Sequence, residues 1–307
     1  MQTFHSADEF RSQGRRVSLA IGMFDGVHLG HQQVIRQAVT DARQHEGLGV
    51  VVTFDRHPNS IVAPDRVPPL IYSRAQKLRT LEALGAAATL EIPFTREFSA
   101  RPAETFVREL VAALAPLQSI SVGSSFVFGS KRSGDVALLQ RLGGELGFQV
   151  HGLPAVALDG EVVSSTRIRD AVRSGEFARA SQMLGREYAL AGVVLRGDAL
   201  GRQLGFPTAN LEVRGLLVPP HGVYAAHASV RGEQHRAAVN IGLRPTVGSQ
   251  VPELRVEAHL LDFQDDLYGQ ELELTFVAKL RDEMKFPSLD ALREQIARDV
   301  TLVRSRF

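Results

Sequence analysis

Four short, mostly apolar runs punctuate the first half of the chain: VSLAIGMF (17–24), GVVVTF (49–54), ATLEIPF (88–94) and SISVGSSF (119–126). Runs of this length bounded by polar, glycine-bearing segments predict buried strands. Between them the period changes. In GHQQVIRQAVTDARQHEG (30–47), Val34, Ile35, Ala38, Val39 and Ala42 fall on one helical face, and Gly47 suits the C-terminal cap. Residues 73–85, 101–115 and 133–146 carry further helical patterns. Strands alternating with helices predict a parallel, doubly wound sheet, in which ligands bind beyond the carboxyl ends of the strands. Each run closes on a phenylalanine, Phe24, Phe54, Phe94 or Phe126, followed by polar or glycine-rich sequence, so a ligand crevice is expected at that edge.

After about residue 186 the pattern shifts. YALAGVVL (188–195), GVYAAHASV (222–230), HRAAVNIGL (235–243), RVEAHLL (255–261) and QELELTFVAKL (270–280) read as strands, with no long helical pattern between them. That predicts an antiparallel barrel or sandwich. SLDALREQIARDVTLV (288–303) predicts a closing helix, capped by Ser288 with Leu289, Leu292, Ile296 and Val300 as its stripe. The expectation is an α/β domain over 1–185 and a β domain over 186–307. A length of 307 residues fits two cores better than one.

Composition narrows the function classes. Hydrophobic content of 44% with 22% charged residues is that of a globular chain. A net charge of +1 gives no polyanion-binding surface, so nucleic acid is not expected as a partner. The absence of cysteine excludes disulfides, thiolate metal sites and cysteine nucleophiles. Neither a signal peptide nor a membrane span is legible, so a cytoplasmic chain without a membrane partner is expected.

Two segments carry candidate chemistry. In IGMFDGVHLGH (21–31) a glycine-rich turn leads from strand to helix, leaving backbone N–H groups at the positive helix end, a setting that suits phosphate. His28 and His31 add ring donors that can steady charge on a phosphoryl group. A zinc site would need a third ligand at telling spacing, and none is present. In VVSSTRIRDAVRSG (162–175), Ser164 or Ser165 caps a helix closed by Gly175, and Arg167 and Arg169 extend an anion site. The plain alternative is an ordinary capped helix with solvated arginines.

Residues 21–31 and 164–169 resemble the His-x-Gly-His and Ser-Ser-Thr-x-Ile-Arg signatures of the nucleotidyltransferase superfamily. The fuller pattern is similar to the bacterial bifunctional riboflavin kinase/FAD synthetase family: GRQLGFPTANL (201–211), GVYAA (222–226), NIGLRPTVG (240–248), VEAHLLDFQDDLYG (256–269) and LRDEMKF (280–286) resemble its kinase module. The resemblance implies a Rossmann-like FMN adenylyltransferase domain over 1–185 and a riboflavin kinase barrel over 186–307. It further implies ATP, riboflavin and FMN as substrates, Mg²⁺ as cofactor, and a monomer or weak homo-oligomer. ATP would first phosphorylate riboflavin to FMN; FMN would then attack a second ATP to give FAD and pyrophosphate.

Residue by residue, the resemblance assigns ATP binding for adenylyl transfer to Gly22, Phe24, Asp25, Gly26, His28, Gly30, His31, Ser164, Ser165, Thr166 and Arg169, with His28 and His31 catalytic. It assigns flavin binding there to His57, Pro58, Ser125, Phe126 and Phe128. In the kinase it assigns ATP binding to Gly197, Gly201, Gly205, Pro207, Thr208 and Asn210, and flavin binding to Arg281, Glu283 and Phe286. Thr208 and Asn210 are two apart, so on an extended segment their oxygens point the same way and suit a Mg²⁺ held mainly by phosphates. Arg255, Glu257 and His259 likewise share a face, and Glu257 is the expected catalytic base. The chain departs from the family pattern at Arg56 (Pro is usual), at Ala87 (Asp) and at Ser125 (Asp or Asn). These departures touch the first domain only; two other readings stand beside the leading one, a kinase whose first domain is a non-catalytic regulatory lobe and a non-enzymatic flavin carrier.

Overall fold

The computed structural model describes residues 1–10, 12–198, 200–244 and 253–307. Of the segments singled out above, 245–248 of NIGLRPTVG lie outside the described residues. The chain divides into two compact units, one of residues 1–70 and 74–165, the other of residues 71–73 and 166–307.

The first unit contains strands β1 (Gln2–Phe4), β2 (Val17–Ile21), β3 (Leu48–Phe54), β4 (Ala88–Ile92), β5 (Leu117–Gly123) and β6 (Gln149–Leu153), followed by the short pair β7 (Ala157–Leu158) and β8 (Glu161–Val162). Its helices are α1 (Leu29–Gln44), α2 (Asn59–Val62), α3 (Arg74–Ala83), α4 (Arg96–Ser99), α5 (Ala103–Ala113) and α6 (Val136–Leu146). The six long-sheet strands run in the order β1-β4-β3-β2-β5-β6, every neighbour parallel. Both faces are covered, which is why the strands read as continuous apolar runs. Leu19, Ile21, Val50 and Val52 pack on one side with Val107, Leu110 and Leu142, while Ala20 and Val51 pack on the other with Ile35, Val39 and Leu81.

The expected stripe of α1 is buried throughout. Its end differs from expectation. Glu46, not Gly47, takes the left-handed backbone (φ 52°). Gly47 is required for space, since a Cβ there would lie 2.4 Å from the Arg16 carbonyl oxygen. The strand ends also differ: β2, β4 and β5 stop at Ile21, Ile92 and Gly123, so of the four phenylalanines only Phe54 lies within its strand.

From Thr166 onward the second unit contains helices α7 (Ser165–Arg173, its first residue in the first unit) and α8 (Phe177–Leu184) and then a closed barrel of β9 (Ala189–Leu195), β10 (Ala209–Leu211), β11 (Gly222–Val230), β12 (Glu233–Arg244), β13 (Glu253–Leu260) and β14 (Glu271–Arg281), with the short α9 (Leu200–Gln203) between β9 and β10. The barrel order is β10-β13-β12-β11-β14-β9, every pair antiparallel. Closure removes the free edges of a sandwich. Its filling is small and aromatic: Ala226 and Ala228 are fully buried, and the Phe276 ring meets Tyr224 edge-on at 5.3 Å and stacks with Tyr188 at 6.2 Å.

The last helix, α10 (Leu289–Arg306), is capped by Ser288, whose hydroxyl accepts from the Ala291 N–H at 3.2 Å. Its expected stripe is corrected at one end. Leu289 is 59% exposed, and the helix instead docks through Val303, Val300 and the buried Asp299. A carboxylate is tolerated inside because Arg281 forks onto it, donating from Nε at 3.0 and 3.1 Å and from Nη2 at 2.7 Å.

Candidate active sites

In the first unit the loop from β2 to α1 holds a backbone seldom seen outside glycine. Phe24 sits at φ 52° and the β-branched Val27 at φ 39°, flanking Gly26 at φ 74°. Such strain persists only where the surroundings over-determine it. Here the Phe24 ring and the Val27 side chain are sunk in the core beside Ile35 and Leu81. Polar ties finish the job: the Thr53 hydroxyl donates to the Met23 carbonyl at 3.0 Å, Gln32 Nε2 to Val27 O at 3.0 Å, and the Ser165 hydroxyl to Asp25 O at 3.1 Å.

That backbone delivers His28 to the N-cap of α1. Its Nδ1 accepts from the His31 N–H at 3.4 Å, which puts the ring proton of neutral His28 on Nε2. The His28 and His31 rings stack at 3.6 Å, and Phe24 meets His31 edge-on at 5.3 Å. The cradle has no room for added carbon: a Cβ on Gly22 would lie 2.9 Å from the Phe24 ring, and one on Gly30 3.3 Å from the His28 ring. Helix-end N–H groups beside imidazole donors form an anion site. Ser165 opens α7, which also carries Thr166 and the buried Arg169.

Two of the flavin assignments of this unit, Phe126 and Phe128, lie at one end of a row of rings. Phe54 meets Phe94 at 5.3 Å, Phe94 meets Phe98 at 5.5 Å, Phe98 meets Phe106 at 5.6 Å, and Phe106 meets Phe128 at 6.2 Å. Phe126 stacks on Phe128 at 5.3 Å. Ser125 is exposed in the turn before them, and His57 Nδ1 accepts from the Asn59 N–H at 3.1 Å, just ahead of Pro58 and α2. Of the unusual residues, Arg56 pairs with Asp55 at 2.8 Å. Burial raises the Asp55 carboxyl, but the Arg56 guanidinium and the Phe94 N–H outweigh it and hold it below its ordinary range. Ala87 precedes β4 at the amino edge of the sheet, bonded to Gly49 O at 2.8 Å, at the opposite end of the strands from the histidine loop.

In the second unit Thr208, Asn210, Glu257 and Asn240 line one cavity of about 400 Å³. Register explains the meeting. Glu257 on β13 lies directly opposite Asn210 on β10 and opposite Asn240 on β12, so three adjacent strands present one polar row. The alternation of β13 is as expected, with Val256, Ala258 and Leu260 buried and Arg255, Glu257 and His259 facing the cavity. Flanking groups are tied down: Arg255 Nη1 donates to Asp198 Oδ2 at 2.7 Å, and the ring of His259 lies 2.8 Å from Pro207 O through Nδ1.

The glycines divide in role. Gly201 lines the cavity, Gly197 packs against the Asn210 amide where a Cβ would come within 2.3 Å, and Gly205 takes a positive φ of 87° before Phe206 and Pro207. Arg281, Glu283 and Phe286 line the far end. Most of the Arg281 guanidinium is committed, to Asp299 and through Nη1 to Asp282 O at 2.9 Å, with its face 5.8 Å from the Phe286 ring. Glu283 presses where a Cβ on Gly242 would be, 1.7 Å from its Oε1, so that glycine leaves space for a carboxylate. Sequence reasoning gave Asn240, Gly242 and Asp198 no role. The signal for Asn240 was present: in AAVNIG it is the polar member of the face shared with Ala238 and Gly242. Among the described residues no group of three or more His, Cys, Asp or Glu side chains is arranged to hold a metal.

Comparison with known proteins follows the same division. A family model described as FAD synthetase matches residues 10–167, and one described as riboflavin kinase matches residues 184–307. The bifunctional riboflavin kinase/FMN adenylyltransferase of Escherichia coli K12 is 38% identical over 290 residues, covering 94% of this chain and 92% of the relative. The same-named protein of Pseudomonas fluorescens is 36% identical, covering 99% and 97%, and that of Bacillus subtilis 33% identical, covering 92% and 89%. A crystal structure from Streptococcus pneumoniae described as a macrolide-efflux protein matches with a TM-score of 0.81 at 29% identity, covering 98% of each chain. That likeness is one of fold; among the described residues no helix is long and apolar enough to cross a membrane.

Proposed function

The chain belongs to the bifunctional riboflavin kinase/FMN adenylyltransferase family, and from that premise we propose how its residues divide two reactions. It is a transferase that phosphorylates riboflavin with ATP to FMN and then joins FMN to the adenylyl group of ATP, giving FAD and pyrophosphate. A FAD synthetase match across residues 10–167 favours two activities over a kinase with an inert first domain or a flavin carrier.

For the kinase step we assign Glu257 as the base. The row Asn210–Glu257–Asn240 is the observation that carries this, because it sets one carboxylate between two amides at the wall of a cavity. Glu257 accepts the proton of the ribityl hydroxyl as it attacks the γ-phosphorus, while the amides orient the carboxylate. Thr208 and Asn210 offer neutral oxygens toward the same cavity, a donor set that fits Mg²⁺ sharing its coordination with nucleotide phosphates rather than caged by protein carboxylates. When bound, that ion neutralises charge on the phosphates. Phe286, Glu283 and the Arg281 stem form the flavin end of the cavity.

For adenylyl transfer we assign His28 and His31 to the charge that grows on the α-phosphoryl group and the departing pyrophosphate, with the N–H groups at the start of α1 beside them. Neither reaction needs a covalent intermediate on the protein; positioning and preorganised donors supply the rate. Ser165, whose hydroxyl bonds to the Asp25 carbonyl in this loop, and Ser164 before it are assigned to the same site. Both steps consume ATP, and we place the enzyme in the cytoplasm on that ground.

A two-substrate assay on the intact chain tests the assignment. Glu257→Ala should abolish FMN formation from riboflavin and leave FAD formation from supplied FMN. His28→Ala should do the reverse. A Glu257→Ala variant that still makes FMN at the wild-type rate removes the assigned base.

A further inference from the structure

The adenylyl-transfer unit buries a cation that neither reaction step above uses. Lys77, on α3, is 7% exposed. Its Nζ donates to the Phe54 carbonyl at 3.0 Å and to the Thr53 hydroxyl at 3.4 Å, and lies 4.0 Å from Glu91 Oε1. Glu91, itself 1% exposed, is the register partner of Thr53 on the neighbouring strand, and its other oxygen accepts from Arg74 Nε at 2.6 Å. The Thr53 hydroxyl that accepts from Lys77 spends its own proton on the Met23 carbonyl, at 3.0 Å. One hydroxyl thus joins a buried ammonium to the strained loop that delivers His28.

Stability alone gives no reason for this arrangement. Burial lowers the Lys77 pKa despite the carboxylates of Glu91, Asp25 and Asp55, which oppose the shift. Replacing a whole buried ion pair by apolar residues is often neutral or stabilising, so stability does not require a lysine to be buried here beside Glu91. Glu91 would keep Arg74 as its partner. What an apolar residue cannot do is hold the Thr53 hydroxyl oriented toward Met23 while pinning the carboxyl end of β3.

We propose that Lys77 is a positioning residue for adenylyl transfer: through Thr53 it fixes the Met23 carbonyl and hence the Gly22–His31 phosphate cradle. It contacts no reacting atom. This rests on the first unit being the adenylyl-transferring one.

The test uses the full chain, with riboflavin kinase activity as an internal control. Lys77→Met should raise the KM for ATP in FAD formation and lower kcat/KM by roughly ten- to a hundredfold, the scale of an ångström-sized misplacement of a catalytic loop. The KM for FMN and FMN production from riboflavin should stay at wild-type values. Thr53→Val should reproduce the effect without touching the charge, and Thr53→Ser, which keeps the hydroxyl, should restore it. Wild-type FAD synthesis in Lys77→Met, or equal impairment in Thr53→Val and Thr53→Ser, overturns the proposal. If Lys77→Met loses both activities through misfolding, the Thr53 pair decides alone. A wild-type chain that makes no FAD would instead sink the functional reading.

Discussion

Removing the carboxylate of Asp299 should cost more stability than any other single truncation on α10. Asp299 is 3% exposed and receives three hydrogen bonds from Arg281 and one from Gln295 Nε2 at 2.9 Å. In Asp299→Ala the Arg281 side chain, 18% exposed, keeps only its bond to Asp282 O and some solvent. Breaking a buried pair by deleting one partner costs about 3–5 kcal/mol, most of it the stranded charge rather than the lost bonds. For a unit of this size each kcal/mol moves the midpoint by about 2–5 °C, so the barrel should melt roughly 6–25 °C lower. Replacing both partners, Arg281→Met with Asp299→Leu, removes the stranded charge and should recover most of that loss. Thermal unfolding followed by circular dichroism reads stability, and FAD formation from FMN on the same samples reports that the first unit is intact. A midpoint for Asp299→Ala within about 2 °C of wild type, or a double replacement no more stable than the single one, would refute the stranded-charge argument.

The strained loop gives a second outcome. Gly22→Ala drives a Cβ to 2.9 and 3.0 Å from the Phe24 ring, which is 1% exposed and has no free space to enter, so the loop should shift, with FAD formation falling while riboflavin kinase activity persists. Such overpacking should also cost about 1–3 kcal/mol in the first unit, measurable by urea unfolding. In the second unit burial, with Asp282 nearby, pushes the Tyr224 hydroxyl up to about 12 from its usual 10.0. The unfolded chain therefore loses this proton first, and the stability held below pH 10.0 declines as pH rises toward about 12. Unfolding at pH 9 to 11.5 should show a steeper alkaline loss in wild type than in Tyr224→Phe, which has no proton to lose; equal slopes would contradict it.

Much of this architecture was legible because local pattern and burial agree. The stripe of α1 and the two-sided apolar strands β2 and β3 required a covered parallel sheet, and the strict alternation of β13 placed Arg255, Glu257 and His259 on one side before any partner strand was known. The pieces that escaped reading are short or ambiguous. β1 and β10 have three residues each, and β6 is an edge strand, QVHGL, with no fully buried member. A segment of that kind has no period of its own and becomes a strand only by completing a neighbour's hydrogen bonds.

The candidate sites divide in the same way. His28, His31 and the Thr208–Asn210 pair were found because their chemistry lies within a few residues of sequence. Asn240 and Asp198 were not, since they join Glu257 and Arg255 only through strand register and loop closure. Lys77 was invisible for the opposite reason: in RAQKLRTLEA a lysine reads as part of a solvated helix face, yet α3 turns it onto the end of β3.

By itself, then, the order of residues determined which segments could be helix or strand, where the backbone could turn, and which short motifs could meet phosphate. It did so because those choices depend on side chains within one or two turns of one another. Strand order, barrel closure, the Arg281–Asp299 fork and the Lys77–Thr53–Met23 link were decided only when distant segments competed to satisfy one another's buried polar groups, a condition that no local window of the chain contains.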